Sequence, residues 1–206
     1  LSRRGAASGG VGVLVRSDLG SHEVAWPEAR LDSCLGRLLA VAAPGPRGPV
    51  VAVSAYFRVG EGFAGNKDLL DALLSFVFKL RHGSWIIGGD FNMTPEELTC
   101  TGYVHASRGQ LLVADGGAPT TVAPLRQGRC VDYFWAGPAA ADLFGNVSED
   151  ACSCLPNHVP VLATAVACAP ALAPVLVRPT CIPAPTDEGR TSPAYHAMLS
   201  SCESLV

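Results

Sequence analysis

The sequence predicts a layered α/β or α+β sandwich, on three observations. Short apolar runs closed by glycine or proline recur along the chain, and such runs read as buried strands. One longer segment changes to a helical period. Hydrophobic residues make up 49% of the 206 residues and charged residues only 16%, enough apolar surface for a real core. Many strands interrupted by a few crossover helices is the order expected of such layers.

The elements follow in sequence. Gly9 to Arg16 reads as an opening strand, Gly-Gly-Val-Gly-Val-Leu-Val-Arg. Arg37–Ala42 and Pro49–Tyr56 read as two more, joined by the turn Pro44-Gly45-Pro46-Arg47-Gly48. From Asn66 to Leu80 the residues Leu69, Leu70, Leu73, Phe76, Val77 and Leu80 form one helical stripe, with Asn66 as N-cap and His82-Gly83 as the stop. Ser84 to Gly89 is a buried strand, and Thr94-Pro95-Glu96-Glu97 opens a short helix with a capping box. Leu111–Ala114, Cys130–Trp135 and Pro160–Ala167 are the remaining strands. Residues 1–168 are thus expected to form one domain. Residues 169–206, with prolines at 170, 174, 179, 183, 185 and 193, are expected to be a linker or tail.

Composition narrows the function. A formal net charge of -3, from 15 Lys+Arg against 18 Asp+Glu, does not suit a protein that coats DNA with a broad cationic surface, so any grip on nucleic acid must be local. The apolar stretch from Val159 to Val177 is broken by prolines, and no membrane span is expected. The first residues lack the apolar core of a signal peptide, and the missing initiator methionine suggests a fragment or processed chain. The eight cysteines are scattered without CxxC or Cys/His ligand spacing, which reads as reduced thiols; Cys152 and Cys154 alone do not make a zinc site. A monomer is the default oligomeric state.

Three strand ends carry chemistry: Gly88-Gly89-Asp90-Phe91-Asn92, Val131-Asp132-Tyr133 and Pro156-Asn157-His158-Val159-Pro160-Val161. Alternation along a strand would bring Asp90 and Asn92 to one side, where a carboxylate and an amide suit a hard cation and a phosphate oxygen. Taken singly, each has an ordinary reading. Asp and Asn beside glycines favour turns, Asp132 could be a surface acid, His158 a loop histidine and Tyr56 core packing. Arg129, Thr120 and Thr121 could touch a phosphate backbone, although solvated loop positions account for them more simply. Only as an ordered set do the three strand ends point to a site.

As a set they resemble the endonuclease/exonuclease/phosphatase superfamily, whose patterns GDFN, IDY and SDHxPV occur in that order. The likeness runs from about Gly9 to Ala167 and takes in the strand end Val53-Ser54-Ala55-Tyr56. In flavour it is nearest to the endonuclease domains of non-LTR retrotransposons, which resemble apurinic-site endonucleases. The resemblance implies a four-layered α/β sandwich with a Mg²⁺-dependent hydrolytic cleft, Mn²⁺ being an alternative. It implies DNA or another phosphodiester as substrate, and nuclear action for a retroelement-derived protein. Asp90 would hold or activate water and bind the metal with Asn157. Asn92 and Tyr56 would contact the phosphate, with Arg129 as a further substrate contact. His158 would donate to the transition state while Asp132 fixes its ring.

Departures from the family pattern give a second expectation. Asn157 stands where the family has an acid, the family's upstream metal-binding glutamate and its first strand and helix would precede Leu1, and Phe57-Arg58 follows Tyr56 where many members have Pro-Asn. Fewer ligand carboxylates should weaken metal binding, so a feeble or inactive nuclease is expected. A decayed binding or relic domain of the same fold, or a phosphatase acting on a small phosphoester, is the alternative.

Overall fold

Apolar alternation on four neighbouring strands decides the architecture. In this computed structural model, residues 11–26, 36–80, 83–121, 128–150 and 158–165 are described, all within the unit Leu1–Pro170. The expected tail, and the boundary at 168, lie outside these residues. The elements are β1 (His22–Glu23), β2 (Leu38–Gly45), β3 (Gly48–Tyr56), α1 (Gly62–Lys79), β4 (Ser84–Asp90), α2 (Pro95–Cys100), α3 (Tyr103–Ala106), β5 (Gln110–Leu112), β6 (Asp132–Ala136), α4 (Pro138–Ala141), β7 (Asn146–Glu149) and β8 (Val161–Thr164). A six-stranded sheet runs β1-β2-β3-β4-β6-β5, and β7 pairs with β8 in a second, two-stranded sheet. Only β3 and β4 are parallel, because α1 carries the chain back between them; every other pair is antiparallel.

Successive residues of β3, β4 and β6 face opposite ways. Val51, Val53, Ala55, Trp85, Ile87, Tyr133 and Trp135 pack with Leu69, Leu70, Leu73, Phe76 and Val77 of α1. Burying side chains of this size contributes about 1.5–3 kcal/mol each. Ile86 and Ala136, with Val50, Ala52 and Phe134, line the opposite face and meet Ala140, Ala141 and Ala163. Helix, large sheet and small sheet are the three layers among the described residues. The result is the mixed α/β sandwich that the sequence predicts. No helix among the described residues is long and apolar enough to cross a membrane.

Several expectations change in detail. The described part of the opening strand, residues 11–16, alternates in exposure but joins no sheet, and Leu14 is fully exposed. The β2–β3 turn is tighter than predicted, since Gly45 already pairs with Gly48. Helix α1 starts a turn early, at Gly62, so Asn66 is not its cap. The Asn66 side chain is instead fully buried, accepting from the Arg58 N–H at 2.7 Å and donating to the Gly62 carbonyl at 2.9 Å. The capping box of α2 forms as read: Thr94 N–H donates to Glu97 Oε2 at 2.7 Å and Glu97 N–H to Thr94 Oγ1 at 3.3 Å.

Candidate active site

The site is assembled by strand register. Tyr56 of β3 pairs with Asp90 of β4, and Asp90 pairs with Asp132 of β6. Directly opposed residues project from the same face, one strand spacing of about 4.8 Å apart. Three candidate side chains therefore rise in a row at the end of the large sheet, on the face that meets β8. Two glycines make this packing possible. A Cβ on Gly88 would lie 2.7 Å from Phe134 Cε1, and one on Gly89 would lie 1.8 Å from the Ala55 carbonyl oxygen. Read in the sequence as the end of the strand, both glycines lie inside β4.

Asp90 and Asn92 form a turn and a site at once. The strand stops at Asp90; its Oδ1 accepts from the Asn92 N–H at 2.9 Å, and Asn92 adopts the left-handed conformation at φ 49°. Asparagine tolerates that region better than most residues. Asn92 thus reaches the site by an Asx turn, where simple strand alternation was expected. Its amide donates to the Phe57 carbonyl at 2.9 Å, fixing the side chain beside the β3 end. Below the row, Phe91 stacks on Tyr133 with ring centroids 4.5 Å apart, and the Tyr133 hydroxyl donates to the Met93 carbonyl at 3.1 Å.

His158 enters just before β8, with its Nδ1 2.9 Å from Asp132 Oδ2. A carboxylate at that nitrogen makes Nδ1 the donor and leaves Nε2 for a substrate. Burial pushes the Asp90 carboxyl up from its ordinary value, and the charge of Asp132 adds to the rise; the Asn92 backbone N–H opposes it. One ligand atom from each of Asp90, Asp132 and His158 falls within 4.8 Å of the other two. Two opposed carboxylates, one of them disfavoured as an anion by burial, form a donor set that a divalent cation relieves. The residues fit a hard cation, with Asp90 and Asp132 as its oxygen donors.

Thr120 is the residue sequence reasoning undervalued. It is only 1% exposed, not solvated as expected, and its Oγ1 accepts from the N–H groups of Val131 and Asp132, both at 3.0 Å. Its carbonyl accepts from the Val159 N–H at 2.8 Å, and Thr121 bridges to His158. One buried threonine thus ties the segment bearing Asp132 to the segment bearing His158. Thr121 Oγ1 accepts from the Arg129 N–H at 2.8 Å. The Arg129 guanidinium turns to Glu97 Oε2 at 2.6 Å, so the structure engages it in an ion pair with the α2 cap. Asn157 lies outside the described residues. Cys130, buried beside this cluster, has its thiol pushed up by burial and then by the Asp132 charge, so it is an inert core thiol.

Solved structures share the fold. The endonuclease domain of TRAS1, a telomere-specific non-LTR retrotransposon, superposes with a TM-score of 0.59 at 15% identity, covering 74% of this chain and 71% of that one. The 3′ phosphatase NExo from Neisseria, bound to product DNA hairpin, gives a TM-score of 0.54 at 19% identity, covering 70% of each chain. The AP endonuclease LMAP from Leishmania major gives a TM-score of 0.50 at 14% identity, covering 61% of this chain and 53% of that one. No curated protein sequence matches the chain. Residues 2–153 match the family model described as Endonuclease/Exonuclease/phosphatase family, and with most of its length so matched the chain belongs to that family.

Proposed function

We propose that this chain hydrolyses phosphodiester bonds with a bound divalent cation, Mg²⁺ or Mn²⁺, feebly because Asn157 replaces an acid, and that its substrate is DNA, as in a retroelement-type endonuclease. The observation that carries this reading is the His158–Asp132 contact at 2.9 Å beside Asp90, its cross-strand neighbour. Hydrolysis of a phosphodiester needs a positioned water, a donor for the developing negative charge and a means of neutralising that charge. Asp90 positions the water and takes its proton. His158 Nε2 donates to the phosphoryl or leaving oxygen, while Asp132 holds the ring by Nδ1. Asn92 and Tyr56 hydrogen-bond the non-bridging oxygens and set the phosphate in line. A divalent cation would be held by Asp90 and Asp132, with Asn157 as a further oxygen donor, and would supply charge neutralisation to the phosphate.

The likeness to the TRAS1 domain supports the endonuclease reading. The likeness to NExo, a 3′ phosphatase, favours a second reading, removal of a terminal phosphate by the same residues. Plasmid nicking with Mg²⁺ or with chelator, beside Asp90→Ala, tests the first, and release of phosphate from a 3′-phosphorylated oligonucleotide tests the second. Nicking that needs Mg²⁺ and Asp90 supports the proposal. The absence of both activities in the Mg²⁺-loaded chain would overturn it in favour of a domain that binds without turnover.

A further inference from the structure

The row at the end of the sheet has a fourth member. Arg37, just before β2, continues the β2–β3 ladder, because its carbonyl accepts from the Tyr56 N–H at 2.9 Å. Across the adjacent strands β2, β3, β4 and β6 the order is therefore Arg37, Tyr56, Asp90, Asp132. The Arg37 guanidinium carbon sits 5.3 Å from the centroid of the Tyr56 ring, and one of its nitrogens donates to the Tyr56 carbonyl at 3.4 Å. A ring face holds a guanidinium in place without neutralising it.

Its charge is also uncommitted. Arg16 pairs with Asp18, Arg58 with Asp68, Lys67 with Asp71 and Arg129 with Glu97, whereas Arg37 pairs with no carboxylate among the described residues. In a chain of net charge -3, a fixed and unpaired cation in line with two carboxylates is a local anion grip of the kind a polyphosphate backbone needs. Arg37 lies two strand spacings from Asp90, about 10 Å by sheet geometry, which places it beside the reacting phosphate position and not on it.

We infer that Arg37 contacts a phosphate of the substrate backbone next to the one held at Asp90 and His158, so that the site takes a polynucleotide strand laid along the row. This rests on the phosphodiesterase reading of the row. Arg37 is a substrate-binding residue and takes no part in proton transfer.

The test is binding of a short fluorescein-labelled DNA duplex, followed by anisotropy across a salt series, for wild type, Arg37→Gln, Arg37→Lys and Arg47→Gln. Arg47 sits in the turn at the other end of β2 and β3, so its substitution changes net charge equally without touching the row. Arg37→Gln is expected to weaken binding roughly tenfold, the weight of one charge-assisted hydrogen bond, and to lower the salt slope by about one. Arg37→Lys is expected to keep the slope, and Arg47→Gln to resemble wild type. Equal effects of the two glutamine variants would overturn the inference, as would loss of the slope in a folded Arg37→Lys or a wild type that does not bind. Should Arg37→Gln fail to fold, the lysine variant decides alone. Hydrolysis of bis(p-nitrophenyl) phosphate by the wild type separates the two claims. Turnover without DNA binding sinks only the role of Arg37, and Arg37-dependent binding without turnover sinks only the phosphodiesterase reading.

Discussion

Asp90 and Asp132 stand directly opposite one another on antiparallel strands, and both are half-buried. Opposed like charges are destabilising in a sheet, and here burial of Asp90 adds to the cost. A fold that keeps such a pair leaves a site that a cation can stabilise.

Metal binding should therefore appear as stability before it appears as activity. With Mg²⁺ in hundredfold excess over its dissociation constant, linkage gives about 2.7 kcal/mol, or a rise in melting temperature of roughly 5–11 °C for a chain of this size. Scanning calorimetry should show the rise in wild type and its loss in Asp90→Ala. An equal rise in both proteins would place the cation elsewhere.

Without metal, the sign of the Asp90 contribution is set by the direction of its shift. Its carboxyl in the folded state lies above the ordinary value, so the native chain binds more protons than the unfolded one between those two values. Stability from this group then falls as pH rises from the ordinary carboxylate value through the raised one, and stays lower at neutral pH. Asp90→Asn removes that liability and keeps an acceptor for the Asn92 N–H. In chelator at neutral pH the variant should melt higher than wild type, with the advantage shrinking in acid. Its hydrolytic activity should fall by roughly 10²–10⁴. A variant that melts lower at neutral pH would show that the carboxylate is structurally required.

Thr120→Val tests whether the site is held together by one hydroxyl. The change keeps shape but strands the N–H groups of Val131 and Asp132, each worth about 1–3 kcal/mol when buried without a partner. Urea unfolding should show a loss of roughly 2–4 kcal/mol, restored by Thr120→Ser. Unchanged stability in the valine variant would mean that water replaces the hydroxyl.

The legible part of this molecule is what local pattern encodes. Apolar runs located β2, β3, β4 and β6, the helical stripe located α1, and the strand ends delivered Asp90, Asp132 and His158 in order. The illegible parts depend on contacts between distant segments. Thr120 bonds backbone groups eleven and twelve residues away, so its role leaves no local trace. Gly88-Gly89 looks like a strand terminator until Phe134 and the Ala55 carbonyl are seen to need the space. Asn66 marks where the apolar stripe of α1 begins, not where the helix does, because its side chain is claimed by Arg58 and Gly62. Strand β7 reads Asn-Val-Ser-Glu, with no alternation to reveal it, and exists by pairing with β8.

The Asp132–His158 pair allows the sharpest test, because its two members act as one unit. With Mg²⁺ saturating, so that the cation role of Asp132 is satisfied, Asp132→Asn leaves the ring in place with the wrong hydrogen bond, and His158→Gln removes the donor outright. Each single change should lower hydrolysis by about 10²–10⁴, the range for a positioned acid–base group. At saturating Mg²⁺ the double variant should be no worse than His158→Gln alone, since groups acting as a unit are not additive; at limiting Mg²⁺ it should fall further, because Asp132 also holds the cation. Losses that multiply in the double variant at saturating Mg²⁺ would mean that Asp132 acts apart from His158. Titrating Mg²⁺ against the variants checks the cation role by itself: a weaker Mg²⁺ response is expected in Asp132→Asn but not in His158→Gln, and an unchanged response in Asp132→Asn would remove Asp132 from the cation site.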